Sequence, residues 1–328
     1  GELALGKFFE VLHSSQKQNA VLPNQLDLNG KPAINHVVSD FIKGVLKQKQ
    51  LANYRTVLTV PVHDPPIIDA ELLGSLSKPA LVPEPVAALW GAQHFGILKD
   101  TGDDGLSLVI DVGASSTALS VVKRNVVLDT ASIDFGGESF VGQMVANALE
   151  EYPQIKNDQK AMQLLWRAAQ SSNQEQTSNL QVHLNVPFVG MDLETKQPLH
   201  IDMTFSSNVL EKQVERSLIE AGVDERQLSE ALPLPTDFQS LWLSIATKLL
   251  TNANVGPHQL SNILLVGGAS PRVQASVKDS LILLQGNLDN LVVPTAQSPA
   301  DLVAVGASVM MQQYKYDIEA GLVRDTDL

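Results

Sequence analysis

The 328 residues carry 36 acidic against 23 basic side chains, a net charge of -13, and 44% of them are hydrophobic. That apolar fraction supports a sizeable core and argues against a disordered chain, while the negative charge disfavours direct binding to nucleic acid or to an anionic membrane. There is no cysteine, which excludes disulfides, zinc thiolates and a cysteine nucleophile and fits a reducing, cytoplasmic setting.

No apolar run is long enough to span a bilayer. The opening Gly1-Glu2-Leu3-Ala4 is neither a signal peptide nor an initiator Met, so the chain is expected to begin inside a longer protein, and Arg324 to Leu328 reads as the start of a linker. Apolar residues at helical spacing (Val37, Val38, Phe41, Ile42, Val45, Leu46) predict an amphipathic helix over Ile34 to Gln50. The β-branched run Val57 to Val60 predicts a strand closed by Pro61. Prolines 65, 66, 79, 83 and 85 leave room only for a short helix, about Ile68 to Leu76.

After an acidic loop, Asp100 to Asp104, strands are expected over Leu106 to Ile110, Leu119 to Val122 and Val126 to Ile133, with a helix over Phe140 to Glu150. A helix over Gln159 to Gln170 then gives way to a polar tract, Ser171 to Asn179. Strands around Leu180 to Leu184 and Leu199 to Met203 flank Pro187 to Asp192. Helices are predicted over Ser207 to Ala221, Asp237 to Asn252 and Val273 to Leu284, with a strand at Asn262 to Val266 and a last helix opening near Ala300.

Three loops place small residues directly after a strand: Asp111-Val112-Gly113-Ala114-Ser115-Ser116, Gly136-Gly137-Glu138 and Gly267-Gly268-Ala269-Ser270. Glycine lets the backbone approach a ligand closely, and amides at a helix start favour phosphate oxygens. Asp111 stands at a strand end where it can hold a metal through water. A single Gly-Gly pair is an ordinary tight turn, but three such loops in one chain point to a nucleotide held between separate segments. The seven histidines show no metal spacing.

Six segments in order, Thr59-Val60-Pro61, Glu84-Pro85-Val86-Ala87-Ala88-Leu89, Asp111-Val112-Gly113, Gly136 to Phe140, Leu265-Val266-Gly267-Gly268 and Val303 to Ala307, resemble the successive signatures of the seventy-kilodalton heat-shock (DnaK-like) chaperones. The family reads T-V-P, N-E-P-T-A-A-A, D-L-G-G-G-T, G-G-E-D-F-D, V-G-G-S-T-R and A-V-A-x-G-A there. The resemblance implies an α/β chain with the actin-like ATPase fold, two lobes around a nucleotide cleft, with ATP and Mg at its base in active members. It divides the chain into 1-110, the remainder of lobe I, 111-310, lobe II with an inserted α+β subdomain at about 150-250, and 311-328, the closing helix end and the start of a linker. The family's phosphate-1 loop, D-x-G-T, and its catalytic lysine have no counterpart, so the N-terminal part of lobe I is expected upstream of Gly1.

Other departures are internal. The phosphate-2 hairpin keeps its first acid as Asp111 and a hydroxyl as Ser116, but its second acid falls on Ala118, which can neither bind Mg through water nor orient one. Ser139 replaces the acid after G-G-E, and the E-x-x-K-R helix clamp at the adenine aligns with Trp166, Ala169 and Gln170, leaving no cation to stack on the base. Arg272 stands for either the family's stacking arginine or its later lysine, and Glu84 either orders water or closes a turn. Trp166 reads first as a packing residue.

The resemblance therefore assigns Gly113, Ala114, Ser115, Ser116, Gly136, Gly137, Glu138, Gly267, Gly268, Ala269, Ser270 and Arg272 to ATP, Asp111 to Mg, and Glu84 with Asp111 as catalytic remnants. It implies weak or absent hydrolysis. Val57 to Pro61, Val122-Lys123-Arg124-Asn125 and Tyr316 to Leu322 further resemble the Ssz-type branch of ribosome-associated complexes. That branch implies a regulatory scaffold that acts with a J-domain co-chaperone and, through it, with the ribosome or another chaperone. The competing readings are an active ATP-driven chaperone with a C-terminal peptide-binding domain and, more distantly, a sugar kinase or filament-forming relative on the same fold.

Overall fold

The structure, a computed structural model, describes residues 57–62, 80–98, 105–175, 181–191, 195–294 and 299–319. The helix expected over Ile34 to Gln50, the short helix about Ile68 to Leu76 and the acidic loop Asp100 to Asp104 lie outside them. The chain divides into residues 1–82 with 311–328 and residues 83–310. In the first unit β1 (Val57–Val60) pairs with β2 (Ala80–Pro83) in a two-stranded sheet.

The second unit is built on a mixed sheet of order β5-β4-β3-β8-β9, with β3 Leu106–Val112, β4 Thr117–Lys123, β5 Val126–Ile133, β8 Leu260–Val266 and β9 Leu291–Val292. β3 runs antiparallel to β4 and parallel to β8, so it is the central strand. Both of its faces are covered, which is why it reads as an almost unbroken apolar run. Leu108, Ile110 and Val112 point into the main core with Phe135, Phe140, Phe238 and Trp242. Val109 is buried outside that cluster, and helix α1 (Glu84–His94) packs on β3, β4 and β5.

α1 is absent from the sequence reading, which left Glu84 as either a water-ordering residue or the close of a turn. Pro85 sits in the first turn of the helix, where its missing N–H leaves no bond unmade. The chain continues through α2 (Gly137–Glu151), α3 (Gln159–Glu175), a hairpin of β6 (Gln181–Met191) and β7 (Pro198–Ser206), then α4 (Ser207–Ala221) and α5 (Phe238–Asn252). α6 (Ser270–Gln285) and α7 (Pro299–Glu319) complete the seven helices of the described residues. β6 runs through Pro187, read as loop: the hairpin has only two strands, so a proline there faces no second partner. The main core is continuous from the mixed sheet to Val182, Leu184 and Ile201 of the hairpin.

α1 and α7 cross with backbone against backbone. A Cβ on Gly306 would enter the Ala87 carbonyl and lie 2.5 Å from the Gly91 amide, and one on Gly91 would enter the Leu302 carbonyl. Asp237 caps α5 by accepting from the Ser240 amide at 2.7 Å, and the Phe238 amide donates to Glu215 at 2.8 Å. No helix among the described residues is long and apolar enough to cross a membrane.

Candidate functional site

The three glycine turns expected from sequence meet at one end of the mixed sheet. β3 and β4 pair down to Val112 and Thr117, leaving Gly113 to Ser116 as the hairpin tip, closed by the Gly113 amide on the Ser116 carbonyl at 2.9 Å. Buried Thr117 donates its hydroxyl to the Phe135 carbonyl at 2.7 Å, which ties the hairpin to the end of β5 just before Gly136. The Gly137 and Glu138 amides, at the start of α2, then donate to the Gly113 and Ala114 carbonyls at 3.0 and 2.7 Å. The Ala269 amide, just before α6, donates to the Val112 carbonyl at 3.0 Å.

Those approaches require glycine at two positions. A Cβ on Gly136 would lie 2.5 Å from the Ala114 carbonyl oxygen and 2.6 Å from that of Gly113. Gly267 adopts φ +94°, and a Cβ there would enter both the Val112 carbonyl and the Asp111 carboxylate. From sequence, amides of all three turns were expected to approach phosphate oxygens; some of them are already paired within the fold. The amides of Gly113, Gly137, Glu138 and Ala269 are spent on carbonyls of the fold. No acceptor among the described residues takes the amides of Ala114, Ser115, Ser116 or Gly268. Ala114, Glu138 and Gly268 are exposed, whereas Ser270 and Arg272 are buried.

Asp111, near the end of β3, faces Glu84 at the first position of α1. Burial, then the neighbouring Asp111 carboxylate, push the Glu84 carboxyl up from 4.5 to about 7. Burial also raises Asp111. Two crowded carboxyls held above their ordinary range, beside a turn that glycine keeps open, fit a divalent cation, which needs few protein carboxylates when phosphates and water fill the other positions. Ala118 pairs with Asp111 across the ladder, so the strand position opposite the acid offers only a methyl group. Among the described residues no group of three or more His, Cys, Asp or Glu side chains is disposed to hold a metal.

With divalent cations chelated, the folded protein holds the Glu84 proton up to about pH 7 while the unfolded chain releases it near 4.5. Stability should therefore fall as pH rises through that window, by roughly 3 kcal/mol at most. Glu84→Gln is expected to flatten the decline in a series of thermal melts from pH 4.5 to 8. A slope identical to that of the parent would show that the carboxyl is solvated.

The positions that the resemblance aligns with the family's adenine clamp, Trp166, Ala169 and Gln170, lie on α3. Ala169 is fully buried core, and Trp166, 38% exposed, lies 3.9 Å from the place a Gly142 Cβ would take. α3 runs five residues past Gln170, and Asn173, one turn beyond Ala169, reaches the site. Its Nδ2 donates to the Gly137 carbonyl at 3.3 Å and its Oδ1 accepts from Arg272 Nη2 at 3.2 Å. The signal was the buried stripe Ala161, Leu165, Ala169, Ser172 at helical spacing, masked because its last member is polar. Ser172 is satisfied by donating to the His183 carbonyl at 2.7 Å.

No family model matches the chain. It is similar to heat shock protein hsp-6 of Caenorhabditis elegans, 26% identical over 269 residues that cover 78% of this chain and 36% of that protein. It is also similar to the chaperone protein DnaK of Buchnera aphidicola, 23% identical over 330 residues, 94% of this chain and 45% of the other. DnaK of Thermotoga petrophila is 24% identical over 253 residues, 74% of this chain and 37% of the other. The chain thus spans less than half the length of these curated relatives. At this level of identity, and with a mixed α/β architecture consistent with theirs, the relatives support the resemblance drawn from the ordered motifs, to the nucleotide-binding half of DnaK-like heat-shock chaperones.

Proposed function

We propose that the chain is the nucleotide-binding domain of a non-canonical heat-shock-type chaperone with the actin-like ATPase fold, which binds ATP with little or no hydrolysis. The observation that carries this reading is the convergence of three glycine turns on Asp111 with Ala118 directly across the ladder. The phosphates would meet the amides of Ala114, Ser115, Ser116 and Gly268, and Asp111, with Glu84 behind it, would hold Mg. Mg supplies charge neutralisation to the phosphates when bound. Phosphoryl transfer depends on metal and positioned charge, and loss of one such group commonly lowers the rate by orders of magnitude. An alanine at 118 therefore separates binding from turnover.

On this reading the protein is a regulatory scaffold of the Ssz-type branch, cytoplasmic, working with a J-domain co-chaperone and through it at the ribosome on nascent chains. The net charge of -13 is in keeping with contact through a partner rather than directly with RNA. A second reading, an active ATP-hydrolysing chaperone with a C-terminal peptide-binding domain, draws on the retained Glu84 and Asp111 pair. ATP turnover by the full-length protein separates them: bound ATP left intact supports the scaffold, and sustained release of ADP supports the active chaperone.

A further inference from the structure

Trp166 and Asn173 stand two helical turns apart on α3, so they project from one face of the helix. Two close approaches fix what that face looks at. A Cβ on Gly137 would lie 3.4 Å from Asn173 Nδ2, 3.6 Å from Ala269 Cβ and 3.8 Å from the Ala114 carbonyl oxygen, so Asn173 stands where the three glycine turns meet. A Cβ on Gly142, further along α2, would lie 3.9 Å from Trp166 Cη2. The indole thus reaches from α3 to α2 with the far edge of its ring, where glycine leaves it room, and the residue is still 38% exposed.

Large aromatics are mostly spent on burial, and the other two tryptophans follow that rule: Trp242 is 2% exposed, and the part-buried Trp90 donates its Nε1 to Asn125 at 2.8 Å. Arg272 is turned inward. It is 7% exposed, its guanidinium lies 5.4 Å from the centroid of the Phe140 ring, and its Nη2 donates to Asn173 at 3.2 Å. The flat surface that this face of α3 offers to a ligand is therefore the ring of Trp166. The helical rise sets it about 10 Å along α3 from Asn173, the order of separation that a ribose places between a polyphosphate and its base.

We infer that Trp166 is the platform on which the nucleotide base stacks, while the backbone amides at the turns hold the phosphates. The inference rests on the nucleotide-binding reading and gives it a base site made of one aromatic ring. Stacking takes a base by its π face, so the platform supplies affinity with little selection among bases.

The test titrates the full-length protein by calorimetry with MgATP and with magnesium tripolyphosphate, which has the phosphates but no base, and follows tryptophan fluorescence alongside. MgATP, and not tripolyphosphate, is expected to quench the emission of the parent. Trp166→Leu, which keeps Trp90 and Trp242, should lose that quench. The same variant should bind ATP at least about five-fold more weakly and tripolyphosphate within about two-fold of the parent, because only the base meets the ring. Trp166→Phe, which keeps an aromatic face, should bind ATP within about three-fold of the parent. ATP bound by Trp166→Leu as tightly as by the parent overturns the platform and leaves the nucleotide reading standing. An equal loss of tripolyphosphate also overturns it, since Trp166 would then act by packing α3 on α2. A parent that binds neither ligand overturns both the platform and the nucleotide reading.

Discussion

Gly267→Ala is expected to lower the stability of the folded protein by about 4 kcal/mol and, on the proposed function, to remove nucleotide binding with it. Two effects add. The backbone at φ +94° is one that a Cβ disfavours by roughly 1 to 3 kcal/mol. The new methyl also enters the Val112 carbonyl and the Asp111 carboxylate, and overpacking of this kind adds roughly 1 to 3 kcal/mol. Neither neighbour can yield cheaply. Val112 is central-strand backbone that accepts from the Ala269 amide, and Asp111 is held in ladder register with Val266 and Ala118. Urea denaturation checks the first part and calorimetric titration with ATP the second. Gly190→Ala, whose Cβ would meet nothing within 4 Å, should change the unfolding free energy by less than about 0.5 kcal/mol.

Gly306→Ala should also be damaging, at about 2 kcal/mol net, although it lies on a helix where alanine is intrinsically preferred over glycine by about 1 kcal/mol. The sign is set by the crossing with α1, since the added Cβ would enter the Ala87 carbonyl and leave 2.5 Å to the Gly91 amide. Relief requires the helices to part. α1 begins at Glu84, so a shifted α1 also changes the distance between Glu84 and Asp111. Loss of stability should therefore come with a weakened pH dependence between 4.5 and 7. An alanine variant at 306 as stable as the parent would show that the two helices are not in backbone contact.

Much of the architecture was legible because its signals are local. β5 and α4 have the bounds their alternation and helical stripe predict, Val126–Ile133 and Ser207–Ala221. Where elements were missed, a residue with two structural meanings decided the outcome. Pro85 opens a helix rather than breaking one, Pro187 sits in a two-stranded hairpin, and Ser172 continues a buried face with a hydroxyl. The glycine turns were legible as candidates, but which amides remain for a ligand depends on pairings across 18 or more residues of chain, such as Thr117 with Phe135. The contact between Arg272 and Asn173 had no sequence signal, because its members come from α6 and α3 and carry no shared spacing.

Recovery of ATP from the full-length protein saturated with MgATP tests most directly whether this is a nucleotide-binding scaffold. Protein freed of unbound nucleotide and incubated at 30 °C for an hour is expected to return its ligand as ATP, with or without a J-domain partner. Multiple cycles of ADP and phosphate release under the same conditions, accelerated by the J-domain, would contradict it.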